Sequence, residues 1–279
     1  QVQSVDVNGQ IVTRQATSVW KREAPDRMLR IRTESGRELE VTPSHPLFVQ
    51  DGLGVEPRTA DELDSGTFLA LPRRLRGEED DSLGVDHRNA GNGPANRLDA
   101  PDELTPGLGR LLGYLIGEGD ASGPGPGTSV VVTSADDTVL ADVSDCFDSL
   151  GLHWWRCPHS GRDGVELVGC SSVELVDFLE QIEPAILERS AEQRVPDCLF
   201  RAGPATKHAF LRSYVEGEAH VSANERELTV ASMSRGLLEG VRSLLLSLGI
   251  HGSIRPRQNG SFGLRISGTD FVTYVDKIG

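Results

Sequence analysis

Two glutamates, Glu118 and Glu218, stand 100 positions apart at the ends of similar segments. The segments are Leu111-Leu112-Gly113-Tyr114-Leu115-Ile116-Gly117-Glu118-Gly119 and Leu211-Arg212-Ser213-Tyr214-Val215-Glu216-Gly217-Glu218-Ala219. Each carries small residues one helical turn apart, Gly113 and Gly117 in the first and Ser213 and Gly217 in the second. Residues four apart share a helix face, and small side chains there let two helix backbones approach closely. Helices packed on those faces would bring both carboxylates to the bottom of one seam. Two unpaired carboxylates repel, and at least one pKa rises. A divalent cation relieves that repulsion and makes a hard oxygen site suited to Mg²⁺, with Mn²⁺ as a substitute. Such a site activates water and stabilises a phosphate leaving group. The competing reading, two exposed helix-end acids, loses ground because the whole pattern occurs twice.

The elements around these acids repeat as well. The first copy reads as a helix through Leu108–Gly119, a strand at Ser129–Ser134 and a helix from Asp137 to Leu150 stopped by Gly151. Strands near His153–Arg156 and Gly164–Val168 follow, then a helix from Val173 to Ile182. The second copy runs Thr206–Ala219, Glu227–Ser232, Leu237–Leu248 before Gly249, Ser253–Arg255, Phe262–Ile266 and Asp270–Ile278. The near-constant offset between them marks an internal duplication of an αβαββα unit, with boundaries at 101–185 and 186–279. Residues 1–75 read as β, from alternating runs at Gly9–Thr13, Met28–Thr33, Arg37–Thr42 and Thr67–Leu71, with a hairpin signal at Ser35-Gly36. Residues 76–100 are polar and rich in Gly and Asn, and they read as a linker that cannot bury itself. The fold class is therefore α+β.

The chain's 279 residues suffice for about two domains. The sequence has neither an apolar run of about 18 residues nor a secretory leader pattern at Gln1–Asp6, so it reads as a cytoplasmic protein with no membrane partner. Cys146, Cys157, Cys170 and Cys198 form no CxxC pair and read as reduced thiols rather than a zinc cluster or disulfide framework. The formal net charge is −14. Only Lys21, Lys207 and Lys277 are lysines, the remaining basic residues being arginines. That fits an ordinary acidic protein or one that stays hydrated in concentrated salt, and the scarcity of Lys favours the second. A pI near 4.9 argues against nucleic-acid binding in dilute salt. In strong salt counterion release contributes little, and a few placed arginines outweigh net charge.

The paired segments resemble the doubled motifs of LAGLIDADG homing endonucleases, and Arg194-Val195-Pro196-Asp197-Cys198-Leu199-Phe200 is similar to that family as it occurs inside inteins. The resemblance covers roughly residues 101–279. It implies a monomer with pseudo-twofold symmetry whose strands form a saddle in the major groove of double-stranded DNA. Glu118 and Glu218 would be catalytic metal ligands beneath it, Arg194 a further catalytic residue, and Trp154, Trp155, Arg156, Arg255, Arg257 and Arg265 DNA contacts. The loop Gly123-Pro124-Gly125-Pro126-Gly127 sits where family members extend toward DNA. Two departures stand out. The second motif ends Glu218-Ala219, where Gly would ease the helix exit. Arg194 replaces a residue that is often Lys, and Arg does not shuttle protons at neutral pH.

In the first domain, Leu39–Val49 with Thr42 and His45, followed by Thr59–Leu63 and Gly66–Leu69, resembles a splicing block of inteins in the Hedgehog–intein fold. There the equivalents of Thr42 and His45 polarise the peptide bond at the upstream splice junction. Position 1 is Gln, and the chain ends Asp276-Lys277-Ile278-Gly279 without His-Asn. The chain as it stands would not splice; it reads as either the middle of a longer intein flanked by a host protein or a decayed remnant, and a β-domain lacking both terminal strands favours the first. The combined expectation is an all-β partial Hedgehog–intein domain followed by the duplicated LAGLIDADG domain. Its function would be a site-specific double-strand break in DNA. The alternative is a DNA-binding module that has lost cleavage, within an intein whose remaining activity is splicing. No phosphate-cradling Gly loop, nucleophile elbow or His-rich metal motif supports a metabolic enzyme.

Overall fold

The computed structural model describes residues 2–6, 11–21, 23, 25–75, 77, 79–85, 96–122, 128–186, 191–222 and 224–279. The chain divides into two compact units, Gln1–Gly77 and Glu78–Gly279.

The first unit is built from antiparallel strand pairs. Strand β1 (Val2–Val5) pairs with β2 (Ile11–Arg14), β3 (Leu29–Arg32) with β4 (Glu38–Val41), and β5 (Pro46–Asp51) with β6 (Gly54–Thr59). The Ser35-Gly36 signal is the β3–β4 turn. Gly36 takes φ +77° there, and the Thr33 side chain accepts the Arg37 N–H at 3.0 Å. Strand β6 escapes sequence reading because Pro57 interrupts its donors, which a sheet edge tolerates. The Thr67–Leu71 run, expected as a strand, makes only a bridge from Leu69 to Val49. Two backbone bonds flank that bridge, Gln50 N–H to Phe68 C=O and Ala70 N–H to Phe48 C=O. Gly9 and Gln10 of the first expected strand lie outside the described residues. Val49 and Ala60 are buried, whereas Phe48, Leu53, Val55 and Phe68 are exposed.

The second unit opens with α1 (Pro106–Glu118), entered through a Thr105 side chain that accepts the Leu108 N–H at 3.2 Å and through Pro106 at the first helical position. Then come β7 (Gly119–Ser122), β8 (Ser129–Ser134), α2 (Asp137–Ser149), β9 (Trp154–Pro158), β10 (Glu166–Cys170) and α3 (Val173–Ile182). A short helix α4 (Asp197–Arg201) leads into α5 (Pro204–Glu218), β11 (Ala219–Ser222), β12 (Glu227–Ser232), α6 (Arg235–Ser247), β13 (Ser253–Pro256), β14 (Phe262–Ser267) and α7 (Thr269–Lys277). Helices α2, α3 and α6 start on Asp136, Ser172 and Ser234, whose side chains accept N–H groups of the first turn.

Each half therefore reads αββαββα, a correction to the αβαββα unit. The missed strands, Gly119-Asp120-Ala121-Ser122 and Ala219-His220-Val221-Ser222, are short and lack the β-branched runs that announce a strand. They exist because β8 and β12 offer them an edge. The two sheets have matching strand orders, β7-β8-β10-β9 and β11-β12-β14-β13. One contiguous apolar core runs through both halves, from Leu111, Val132 and Phe147 to Leu211, Val230 and Leu264.

Residues 76–100 are also corrected. The stretch described is not a loose linker: Leu83 and Leu98 enter the core. The Leu98 N–H donates to the buried Glu174 carboxylate at 2.9 Å, and the Asp99 N–H to Leu150 C=O at 2.9 Å. At the other end Asp80 N–H meets Arg201 C=O, and Asp81 Oδ1 accepts the Gly203 N–H at 2.9 Å. Polar composition concealed two leucines spaced far apart, each packed by structure on either side.

Candidate active site

The seam between α1 and α5 is made by the small residues. A β-carbon added at Gly113 would lie 2.1 Å from Ser213 Oγ and 2.6 Å from Phe210 O. One added at Gly109 would lie 3.0 Å from Thr206 O, so the stripe extends a turn further than the motif suggested. Ser213 turns its hydroxyl back onto its own helix, donating to Ala209 or Phe210 C=O at 3.1 Å, and so brings no unsatisfied polar atom to the contact.

At the lower end the glutamates cross over. A β-carbon at Gly217 would sit 2.9 Å from Cγ of Glu118, and one at Gly117 would sit 3.4 Å from Cγ of Glu218. Each acid thus lies across the glycine of the opposite helix, and the two side chains share one site. Glu118 reaches solvent and Glu218 is half-buried. Partial desolvation raises the Glu118 carboxyl above its usual range. Burial, together with the negative charge of Glu118, pushes Glu218 up to about 7. Among the described residues no third Asp, Glu, His or Cys completes a metal cluster with them. The donor set still fits a magnesium-like ion, which keeps waters and takes phosphate oxygens beside one or two carboxylates.

The cation whose charge acts on Glu118 is Arg162, in the turn between β9 and β10. It opposes the effect of desolvation. Its signal was a basic residue in a hairpin turn, Ser160-Gly161-Arg162-Asp163-Gly164, which sequence alone does not tie to a distant glutamate. Arg194 is engaged elsewhere: its Nε donates to the buried Glu183 carboxylate at 2.8 Å. A further polar cluster ties the halves together. The Tyr114 hydroxyl lies 2.9 Å from Asp142 Oδ2 and 2.8 Å from Glu216 Oε2, while Arg110 pairs with Asp142 and Arg212 with Glu216.

The expected DNA contacts divide by strand alternation. Trp154 and Arg156 register with the buried Cys170 and Val168, and so face the helices. The Trp154 Nε1–H donates to Asp148 at 2.9 Å, and Arg156 pairs with Asp137 and Glu166. Both are corrected to the helix side. Trp155 points to the other, outer face and lies flat over Gly169, where a β-carbon would meet its ring at 2.5 Å. Arg255 and Arg265 register with Gly263 and Thr229 on the outer face of the second sheet. Arg265 pairs with Glu227 at 2.5 Å, and the Arg257 guanidinium lies across Gly263, 2.8 Å from where a β-carbon would stand. Thr42 and His45 occupy one turn of the first unit, the His45 N–H donating to Thr42 C=O at 3.0 Å, with the His45 side chain exposed. The Gly123–Gly127 loop lies outside the described residues.

No helix among the described residues is long and apolar enough to cross a membrane. Among curated proteins the chain is 27% identical over 254 residues to an A-type ATP synthase subunit of Pyrococcus abyssi, covering 90% of this chain and 24% of that protein. It is 22% identical over 275 residues to the DNA-directed RNA polymerase subunit Rpo1C of Methanocaldococcus jannaschii, covering 94% and 31%. The chain thus spans about a third or less of these relatives. A solved structure of I-DmoI in complex with DNA and Mn aligns with a TM-score of 0.49 and 20% identity, covering 63% of this chain and 97% of that one. Residues 205–279, which comprise nearly all of α5 and everything after it, match the family model described as a LAGLIDADG-like domain.

Proposed function

We propose that the second unit is a site-specific DNA endonuclease, a pseudo-twofold monomer that makes a double-strand break with Mg²⁺ or Mn²⁺ held by Glu118 and Glu218. The observation that carries this reading is the crossing of two duplicated glutamates over the opposite glycines at the seam. It fits the LAGLIDADG-like match over the second motif. A bound divalent cation would supply Lewis-acid stabilisation of the leaving oxygen and a lowered pKa for attacking water. The chain's own residues do the rest. The two carboxylates would hold the cation at the foot of the α1–α5 seam, beside the scissile phosphates. The positive charge of Arg162 acts on Glu118 and favours its ionised form. Arg194 holds the segment ahead of α4 through Glu183 and acts as a positioning residue. The outer faces of the sheets take the DNA.

The first unit fits a portion of a Hedgehog–intein splicing domain, with Thr42 and His45 in one turn and apolar side chains left exposed. The relatives add support of a different kind. Nearly the same length of chain recurs within subunits of an ATP synthase and of an RNA polymerase. A segment shared by proteins with unrelated work behaves as an inserted element, and a nuclease that opens DNA at its own insertion site suits such an element. The acidic, lysine-poor surface fits a cytoplasm rich in salt.

The test is cleavage of a duplex spanning the uninterrupted host sequence, in Mg²⁺ and in Mn²⁺, at high salt. Glu118→Gln and Glu218→Gln should each lower cleavage by at least about 10²-fold, a loss of roughly 2.7 kcal/mol of transition-state stabilisation, while duplex binding persists. Full-rate cleavage by either variant would remove the acids from the reaction.

A further inference from the structure

The two sheets match in strand order, yet their outer faces differ in chemistry. On the second sheet, Arg255, Arg257 and Arg265 share the face with one carboxylate, Glu227. On the first sheet the residues that alternate outward from buried Val130, Val132, Val168 and Cys170 are Ser129, Val131, Thr133, Leu167, Gly169, Trp155 and Cys157. Among the described strand residues, that face carries no cation, and Asp120 is its acid. The arginine that the sequence offers there, Arg156, is turned to the helices and held by Asp137 and Glu166.

Arginine serves phosphates and the acceptor edge of guanine, whereas apolar side chains in the major groove recognise the C5-methyl of thymine. Resting on the proposed nuclease reading, we infer that the halves read their half-sites by different means. The second half anchors the duplex through phosphate and guanine, and the first half selects thymine through the methyl groups that Val131, Thr133, Leu167 and Trp155 contact. The target is then chemically lopsided, with its salt-sensitive affinity at one end and its A·T preference at the other.

The experiment is enrichment of bound duplexes from a randomised library by the full chain, followed by substitution of uracil for thymine in each half of the enriched site. The halves are assigned with an iron–EDTA group on Cys157, the exposed cysteine, since Cys146, Cys170 and Cys198 are buried. Uracil in the half marked by Cys157 should weaken binding about fourfold per methyl, the loss expected for one buried methyl-sized group, and uracil in the other half should change little. Arg257→Gln should lower the slope of log affinity against log salt by about one, and Leu167→Ser should leave that slope unchanged. The uracil arm alters only the DNA, so a poorly folding variant does not decide the result. Guanine-rich enrichment under the first sheet, or uracil tolerated there, overturns this inference and leaves the nuclease reading standing. Failure to enrich any sequence at any salt overturns both.

Discussion

Glu218 carries a cost that its surroundings do not relieve. Burial and the nearby Glu118 hold its carboxyl at about 7, above the value of an unfolded chain. A raised acid favours folding fully below the unfolded pKa, and that contribution is lost as pH rises through 7. The metal-free protein should therefore lose thermal stability between about pH 5 and pH 8, and Glu218→Gln should flatten that stretch of the profile. Adding Mg²⁺ should raise the melting temperature more at pH 8 than at pH 5, because the cation binds the ionised pair. Differential scanning measurements with and without the ion check both signs; an equal Mg²⁺ effect at the two pH values would contradict the pairing. The identity of these acids was legible from their repetition alone. Arg162 was not, since a turn residue reaches the pair only through the fold of the β9–β10 hairpin, and Arg156 misled because its type suggests DNA while its register turns it away.

Among the elements, helices were the most readable from their apolar runs and the glycines after α2 and α6, while the caps at Thr105, Asp136, Ser172 and Ser234 that start four of them emerged from the structure. Strands β7 and β11 were hidden because edge pairing rather than side-chain pattern makes them. The seam between α1 and α5 depends on the absence of a side chain at Gly113 more than on any attraction. Gly113→Ala should destabilise the second unit by about 1–3 kcal/mol through overpacking. Ser213→Gly should not restore it, because the Phe210 carbonyl stands 2.6 Å from the added carbon. Equilibrium unfolding of the single and double variants checks this, and full rescue by the double change would place the clash on the hydroxyl alone. A second fastening is Tyr114, and Tyr114→Phe should cost about 1–3 kcal/mol, since its single hydroxyl proton is shared between two carboxylates, one from each half, in a partly buried cluster.

At the scale of the molecule, the composition changes near residue 76, close to the division between the two units, whereas the duplicated pattern reads as starting only at residue 101. The role of the segment between them was not legible, since its contacts are made by backbone groups and by two separated leucines. The core shared by both halves makes the duplicated region a single cooperative body. A chain of residues 79–279 should unfold in one transition without the first unit; separate transitions for its halves would contradict the shared core.

The Asp81 carboxylate gives that segment a practical meaning. Helix α5 (Pro204–Glu218) is preceded by Gly203, which brings no side chain to the first turn, and the Gly203 N–H itself is received by the Asp81 carboxylate from more than a hundred residues upstream. The helix that ends in Glu218 is thus started by a residue outside its own repeat. A truncation at residue 101, where composition invites the cut, would strip the start of that helix and empty the pockets of Leu83 and Leu98. Asp80 and Asp81 mark where a minimal version of the second unit should begin.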